Sequence, residues 1–356
     1  MTTGQNLAQG AVGIALLHLE TGDWDAAWAL LKEAVADGVS VGPGASLYYG
    51  APALAFVLSA SDRPELARAK EVAAAGTAMV TRHRLEAAHR RIDNRLRPHY
   101  AEFDLIRGLT GLGVVLRRIG ALALLREVLA YLVRLTEPFD GLPGWWCANG
   151  PNRDRPAPAG GHSNHGIAHG ITGPLALMAL TAIDGVEVHG QRTAIIRICQ
   201  WLDHWERHSA GGPWWPQTIA LDELDRGDTR QSGPLRPSWC YGTPGIARAQ
   251  QLAARAMGDT TRRHKAETAF AACVRDHTQL ARLTSRGLCH GTGGLVTTGR
   301  RIAADALTPI PVTPLVNLHR QTPAHGEPPG FLDGTAGVDL TTAGNATAWD
   351  ACLLLC

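Results

Sequence analysis

The side chains that could do chemistry in this chain stand at matched places before pairs of glycines. Cys240 lies two residues before Gly242, and Cys289 and His290 lie two and one before Gly291. His169 lies one before Gly170, and Asp104 four before Gly108. Two thiolates and one imidazole form a borderline-soft donor set that suits zinc. Three protein ligands leave a fourth tetrahedral position open, which marks a catalytic rather than a structural zinc site. Neighbouring residues such as Cys289 and His290 point about 100° apart in a regular helix. At an irregular turn entering a helix, both can reach one ion. Either cysteine alone reads as an ordinary buried thiol; the shared register is what argues for a site.

That register belongs to the whole chain. Glycine pairs three residues apart start at Gly10, Gly108, Gly170, Gly242, Gly291 and Gly334, and a seventh turn, Gly50, has Ala53 in the second place. The spacing between turns varies from 40 to 72 residues, the signature of a repeat architecture with insertions. Apolar, small-residue stretches follow the turns, such as IALLHL after Gly13 and PLALMAL after Gly173. Helices that are apolar all round are buried. Between them run amphipathic patterns, such as Trp24, Trp28, Leu31 and Val35, or Leu125, Val128, Leu129 and Leu132. One buried and one surface helix per repeat predicts an all-α fold, an α/α toroid: a double ring of seven helical hairpins forming a single domain over residues 1–356. All seven turns would then gather at one mouth, with the chemical residues facing a shared cavity. An open solenoid is the alternative, but it needs polar terminal faces, and the last segment, Trp349–Cys356, is apolar. No amphipathic helix precedes the first repeat, so either the C-terminal segment closes the ring or the natural start lies upstream.

Bulk properties agree. Of 356 residues, 45% are apolar, enough for a large core, and the net charge of +2 gives no argument for nucleic acid. No stretch approaches the roughly 20 apolar residues of a membrane span, and the first residues carry no signal segment. Seven scattered cysteines, an odd number, suggest free thiols or metal ligation in a reducing compartment, so a cytoplasmic location is expected. A second histidine group, His162, His165 and His169, includes an i, i+4 pair. It lacks the Glu of the metalloprotease pattern, having Gly166 there, so His162 and His165 read as polar loop residues. The basic run Arg82, His83, Arg84, His89, Arg90, Arg91, Arg95 and Arg97 reads as a solvated outer helix, with docking of an acidic peptide segment or partner enzyme as the alternative. The pairs Trp145–Trp146 and Trp214–Trp215 read as packing between outer helices rather than walls of a cleft.

The motifs Ala168-His169-Gly170, Cys240-Tyr241-Gly242 and Cys289-His290-Gly291, with Phe103–Ile106 and Trp349-Asp350, resemble the lanthionine synthetase C family, the LanC cyclases, over nearly the whole chain. The resemblance implies a toroid with one central zinc held by Cys240, Cys289 and His290, with Asp104, His169 and Arg236 as the surrounding polar groups. It implies addition of a peptide cysteine to dehydroalanine or dehydrobutyrine, closing a thioether ring. The chemistry is sound. A thiol of pKa about 8.5 reacts as its thiolate, and zinc deprotonates a coordinating thiol. Attack at the β-carbon builds an enolate, which must take a proton at the α-carbon. His169 titrates in the right range to move that proton, and Asp104 could fix its tautomer. Arg236 could steady the enolate oxygen, or be a surface arginine of the Pro234–Pro237 loop. The expected partner is a dehydrated precursor peptide. The chain has no room for a dehydratase, so that activity is expected from a separate enzyme. Two other functions fit the same residues: addition of a different thiol, such as glutathione, to an electrophilic alkene, and a zinc-containing scaffold without turnover.

Overall fold

The computed structural model describes residues 3–150 and 156–356. These form seven inner helices: Ala11–Thr21, Ala51–Leu58, Leu109–Arg118, Thr172–Ile183, Thr243–Met257, Thr292–Ala304 and Thr335–Ala343. Each packs on the next, and the seventh packs on the first, so the ring closes. Six outer helices follow the first six inner ones and pack against them: Trp24–Ala34, Ala67–Asp93, Leu122–Leu135, Gln191–His204, Thr260–Cys273 and Thr313–Gln321. The inner helices carry most of the core, and all eight residues of Ala51–Leu58 are buried. One core cluster runs from Leu7 to Leu355. No helix among the described residues is long and apolar enough to cross a membrane.

The glycine pairs exist for space. A Cβ at Gly245 would lie 2.0 Å from the Trp239 carbonyl oxygen, and one at Gly294 equally close to that of Leu288. Each inner helix is therefore pressed onto the segment that leads into it. The second turn solves the problem differently. Gly50 takes φ +73°, a left-handed value that favours glycine, and Ala53 is then accommodated fully buried.

A belt of backbone hydrogen bonds joins the turns. Leu105 N–H donates to the Ala168 carbonyl, Ala168 to Cys240, Cys240 to Cys289, Cys289 to Leu332, and Leu332 to Ala8, at 3.0–3.4 Å; Leu7 donates to Tyr48 at 3.0 Å. Residues two or three before successive glycine pairs are thus tied to one another around the mouth. This is why equal sequence offset becomes equal depth.

Among the described residues no outer helix packs behind the seventh inner one, so six hairpins are complete rather than the seven expected. Residues Trp349–Leu353 instead form a buried 3₁₀ turn. Tyr48 donates its hydroxyl to the Cys352 carbonyl (3.0 Å), Trp239 Nε1 to Leu353 (2.9 Å) and Arg248 to Leu355 (2.7 Å). Those groups sit in the second and fifth repeats, so the segment crosses the ring beneath the mouth. Asp350 is buried and held by both arms of Arg301 at 2.6 and 2.7 Å. Glu20, at the end of the first inner helix, accepts from the Ala346 and Thr347 amides at 2.6 and 2.8 Å.

The basic run is only partly solvated. Arg84 reaches inward to the carbonyls of Pro43 and Ala45 (2.8 Å each) and of Arg107. Arg91 makes a two-armed pair with Glu102, and Arg97 binds the carbonyls of Phe139 and Pro143. Arg82, His83, Arg90 and Arg95 remain exposed. Arg84, Arg91 and Arg97 thus tie the second outer helix and the segment after it to neighbouring parts of the fold.

Candidate metal centre

The belt delivers three donors to one place. The ligand atoms of Cys240, Cys289 and His290 all lie within 4.8 Å of one another. A tetrahedral ion with bonds of about 2.0–2.3 Å separates its ligands by roughly 3.3–3.8 Å, so the donor chemistry suits zinc and the three atoms lie within about 1 Å of that spacing. Cys240 is 7% exposed, whereas the His290 side chain is 37% exposed; the cluster is closed below and open at the mouth.

The thiols already share charge. The Cys240 thiol is held well below its ordinary value, chiefly by a hydrogen bond from Cys289, which outweighs burial with help from His290 and Ser238. Cys289 is pushed well up by the same hydrogen bond and by burial. His290 is raised first by its hydrogen bond with Cys240, against burial, and further by the charge of Asp333. Ser238 Oγ lies 3.5 Å from the Cys240 sulfur.

Beside this cluster stands a carboxylate–imidazole pair. His169 Nδ1 donates to Asp104 Oδ2 at 2.7 Å. Asp104 is fully buried, and its other oxygen accepts the amides of Arg107 and Gly108 at 2.7 Å each. Those bonds fix the carboxylate, which fixes the His169 tautomer with Nε2 left free of its proton. Burial disfavours a charged His169, but the hydrogen bond and charge of Asp104 prevail and raise its pKa. Burial likewise raises Asp104, opposed by His169. The pair adjoins the metal cluster through the belt, since Ala168 N–H donates to the Cys240 carbonyl.

Arg236 is exposed at the rim. Its charge bears on Cys289, His290 and Asp333, which places the guanidinium near the cluster. The other histidines stay apart. His165 is fully buried, with Nδ1 donating to the Pro216 carbonyl and Nε2 accepting from Trp201, both at 2.8 Å. His162 sits on a short strand, His162–Asn164, paired with Thr218–Ala220. Burial lowers both rings to about 4. His165 lies in a loop as expected and His162 on a strand instead, and both rings are buried because the two insertions pack on each other. Trp145, Trp146, Trp214 and Trp215 are buried in the same packing.

Two neighbours escaped sequence reasoning. Tyr241, half-buried, lies with its ring 6.1 Å from that of His169, and its hydroxyl accepts from Asn164 Nδ2 at 3.0 Å. Asp333 lies 3.5 Å from His290 Nδ1. For Asp333 a signal existed: it stands one residue before Gly334, as His169 and His290 stand before their glycines.

Comparisons with known proteins agree with this geometry. The family model described as lanthionine synthetase C-like protein matches residues 2–346. The nisin biosynthesis protein NisC of Lactococcus lactis subsp. lactis is 26% identical over 134 residues, 37% of this chain. That alignment spans only 31% of the relative's length. The structure of nisin cyclase superposes with a TM-score of 0.84 at 21% identity, covering 100% of this chain and 93% of that one; at that identity the likeness speaks for the toroid.

Proposed function

The chain belongs to the lanthionine synthetase C-like family, and we propose that it closes thioether rings in a dehydrated ribosomal peptide, acting as one domain over residues 1–356. The observation that carries this reading is the meeting of Cys240, Cys289 and His290 within 4.8 Å, beside the Asp104–His169 pair. Bound there, zinc would supply Lewis-acid activation of a substrate thiol. The reaction forms one carbon–sulfur bond at the β-carbon of dehydroalanine or dehydrobutyrine. The thiol proton is lost and one proton is gained at the α-carbon, so mass is conserved.

This chain's residues divide the remaining work. Asp104 holds His169 by Nδ1, leaving Nε2 to take or give the proton. The raised pKa of His169 keeps a usable fraction of its acid form near neutrality. Arg236, at the rim, supplies a fixed cation for the enolate oxygen. The open side of the cluster, at His290, is where a peptide would enter. Dehydration of the peptide falls to a separate enzyme.

Elemental analysis of the purified protein tests the metal reading. One zinc per chain is expected, lost in Cys240→Ala and Cys289→Ala. Full zinc occupancy in Cys289→Ala would reject this ligand set.

A further inference from the structure

The seventh turn carries no thiol or imidazole, yet it is bound to the sixth directly beside the ligand pair. The Leu332 carbonyl accepts the amides of both Leu288 (2.6 Å) and Cys289 (3.0 Å). That places Asp333 against His290, with Oδ1 3.5 Å from Nδ1. The approach depends on Gly287, where a Cβ would lie 2.9 Å from Asp333 Cα and 3.1 Å from its Oδ1. Among the described residues, His290 is the only ion-pair partner of Asp333.

We propose that Asp333 is a positioning residue of the metal centre: its carboxylate charge faces Nδ1 of His290 and favours the proton there, which leaves Nε2 for the two cysteine sulfurs. This rests on the zinc reading above. A ligating imidazole needs its second nitrogen held, because the ring otherwise rotates and can present the wrong tautomer. Backbone hydrogen bonds and a missing side chain at position 287 bring Asp333 to that nitrogen. The mouth then uses one device twice. Asp104 orients the imidazole that moves protons, and Asp333 orients the imidazole that holds metal. The 3.5 Å separation exceeds an ordinary hydrogen bond, so the contact is electrostatic and the negative charge matters more than the shape of the acceptor.

The test measures zinc affinity by competition with a chromophoric chelator, on wild-type protein, Asp333→Ala, Asp333→Asn and Cys289→Ala. Outer carboxylates of this kind are typically worth about 10–100-fold in metal affinity. Asp333→Ala is expected to weaken zinc by that factor and to shift the visible absorption of the cobalt-substituted protein. Asp333→Asn, which keeps an acceptor but no charge, is expected to fall on the Ala side of wild type. Unfolding of the metal-free protein should be the same for Asp333→Ala and wild type. Zinc affinity within threefold of wild type in Asp333→Ala, with an unchanged cobalt spectrum, overturns the proposal; so does a destabilised metal-free protein. In both cases wild type still binds one zinc and Cys289→Ala loses it. If wild type itself binds none, the zinc reading has failed instead.

Discussion

Asp104→Asn separates orientation from fold and metal. The amide's own orientation is dictated by two amides, Arg107 N–H and Gly108 N–H, which both need an acceptor at 2.7 Å. The Asn oxygen must face them, so its NH₂ faces His169. Nδ1 can no longer donate there and must accept, which moves the proton to Nε2. The imidazole is then held in the wrong tautomer to take a proton from its open side. General acid–base groups contribute about 10²–10⁴-fold, or about 2.7–5.4 kcal/mol at about 1.36 kcal/mol per tenfold. A loss of that size is expected in ring closure, followed as free thiol remaining in a dehydrated peptide. The cost to the fold is bounded by one charge-assisted hydrogen bond, about 1.5–3 kcal/mol. Zinc content should not change. The pH profile adds a signed check. In wild type, burial lowers His169 but Asp104 raises it further, so its limb lies above the ordinary value of about 6.5. As a proton donor His169 must be charged, so that activity falls as pH rises through the raised value. The variant keeps the burial and loses the carboxylate, so its limb moves to lower pH. The same shift contributes folding stability that is complete below about 6.5 and is lost as pH rises through the raised value. Turnover within threefold of wild type, or an unmoved limb, refutes this reasoning.

His169→Asn should keep its zinc and lose about 10²–10⁴-fold in ring closure; loss of zinc in this variant would make His169 a fourth ligand and the site a closed structural one. Gly245→Ala places a Cβ 2.0 Å from the Trp239 carbonyl, and backbone cannot yield as a side chain does. It should cost about 3 kcal/mol or more in denaturant titration and weaken zinc, because Trp239 leads into Cys240. The reverse change in the atypical turn, Ala53→Gly, should cost only about 0.5–1 kcal/mol.

The depth of the site was legible because the glycines are needed for room. A position where a Cβ would strike the preceding carbonyl admits little else, so the repeat register is written plainly, and Cys240, Cys289, His290 and His169 could be aligned by counting. The ring followed from apolar helices alternating with amphipathic ones. What stayed hidden depends on contacts far apart in the chain. The apolar segment after Gly344 gave no sign that it would cross the ring, because its partners are Tyr48, Trp239 and Arg248, up to 304 residues away. The inward turn of Arg84 was hidden for the same reason, since its acceptors are loop carbonyls near residues 43–45 and 107. Asp333 was in plain register, but an acidic residue at a turn is ordinary until its neighbour is known. The burial of His162 and His165 was hidden because pairing between two distant insertions leaves no local pattern.

Mass spectrometry of a purified, zinc-loaded reaction tests the central claim most directly. The substrate is a dehydrated peptide carrying one cysteine, supplied with and without an added small thiol and then treated with a thiol-alkylating reagent. Ring closure predicts loss of the alkylatable thiol with no change in peptide mass, with or without the added thiol. A mass gain equal to the added thiol, with the peptide's own cysteine still alkylated, would contradict it.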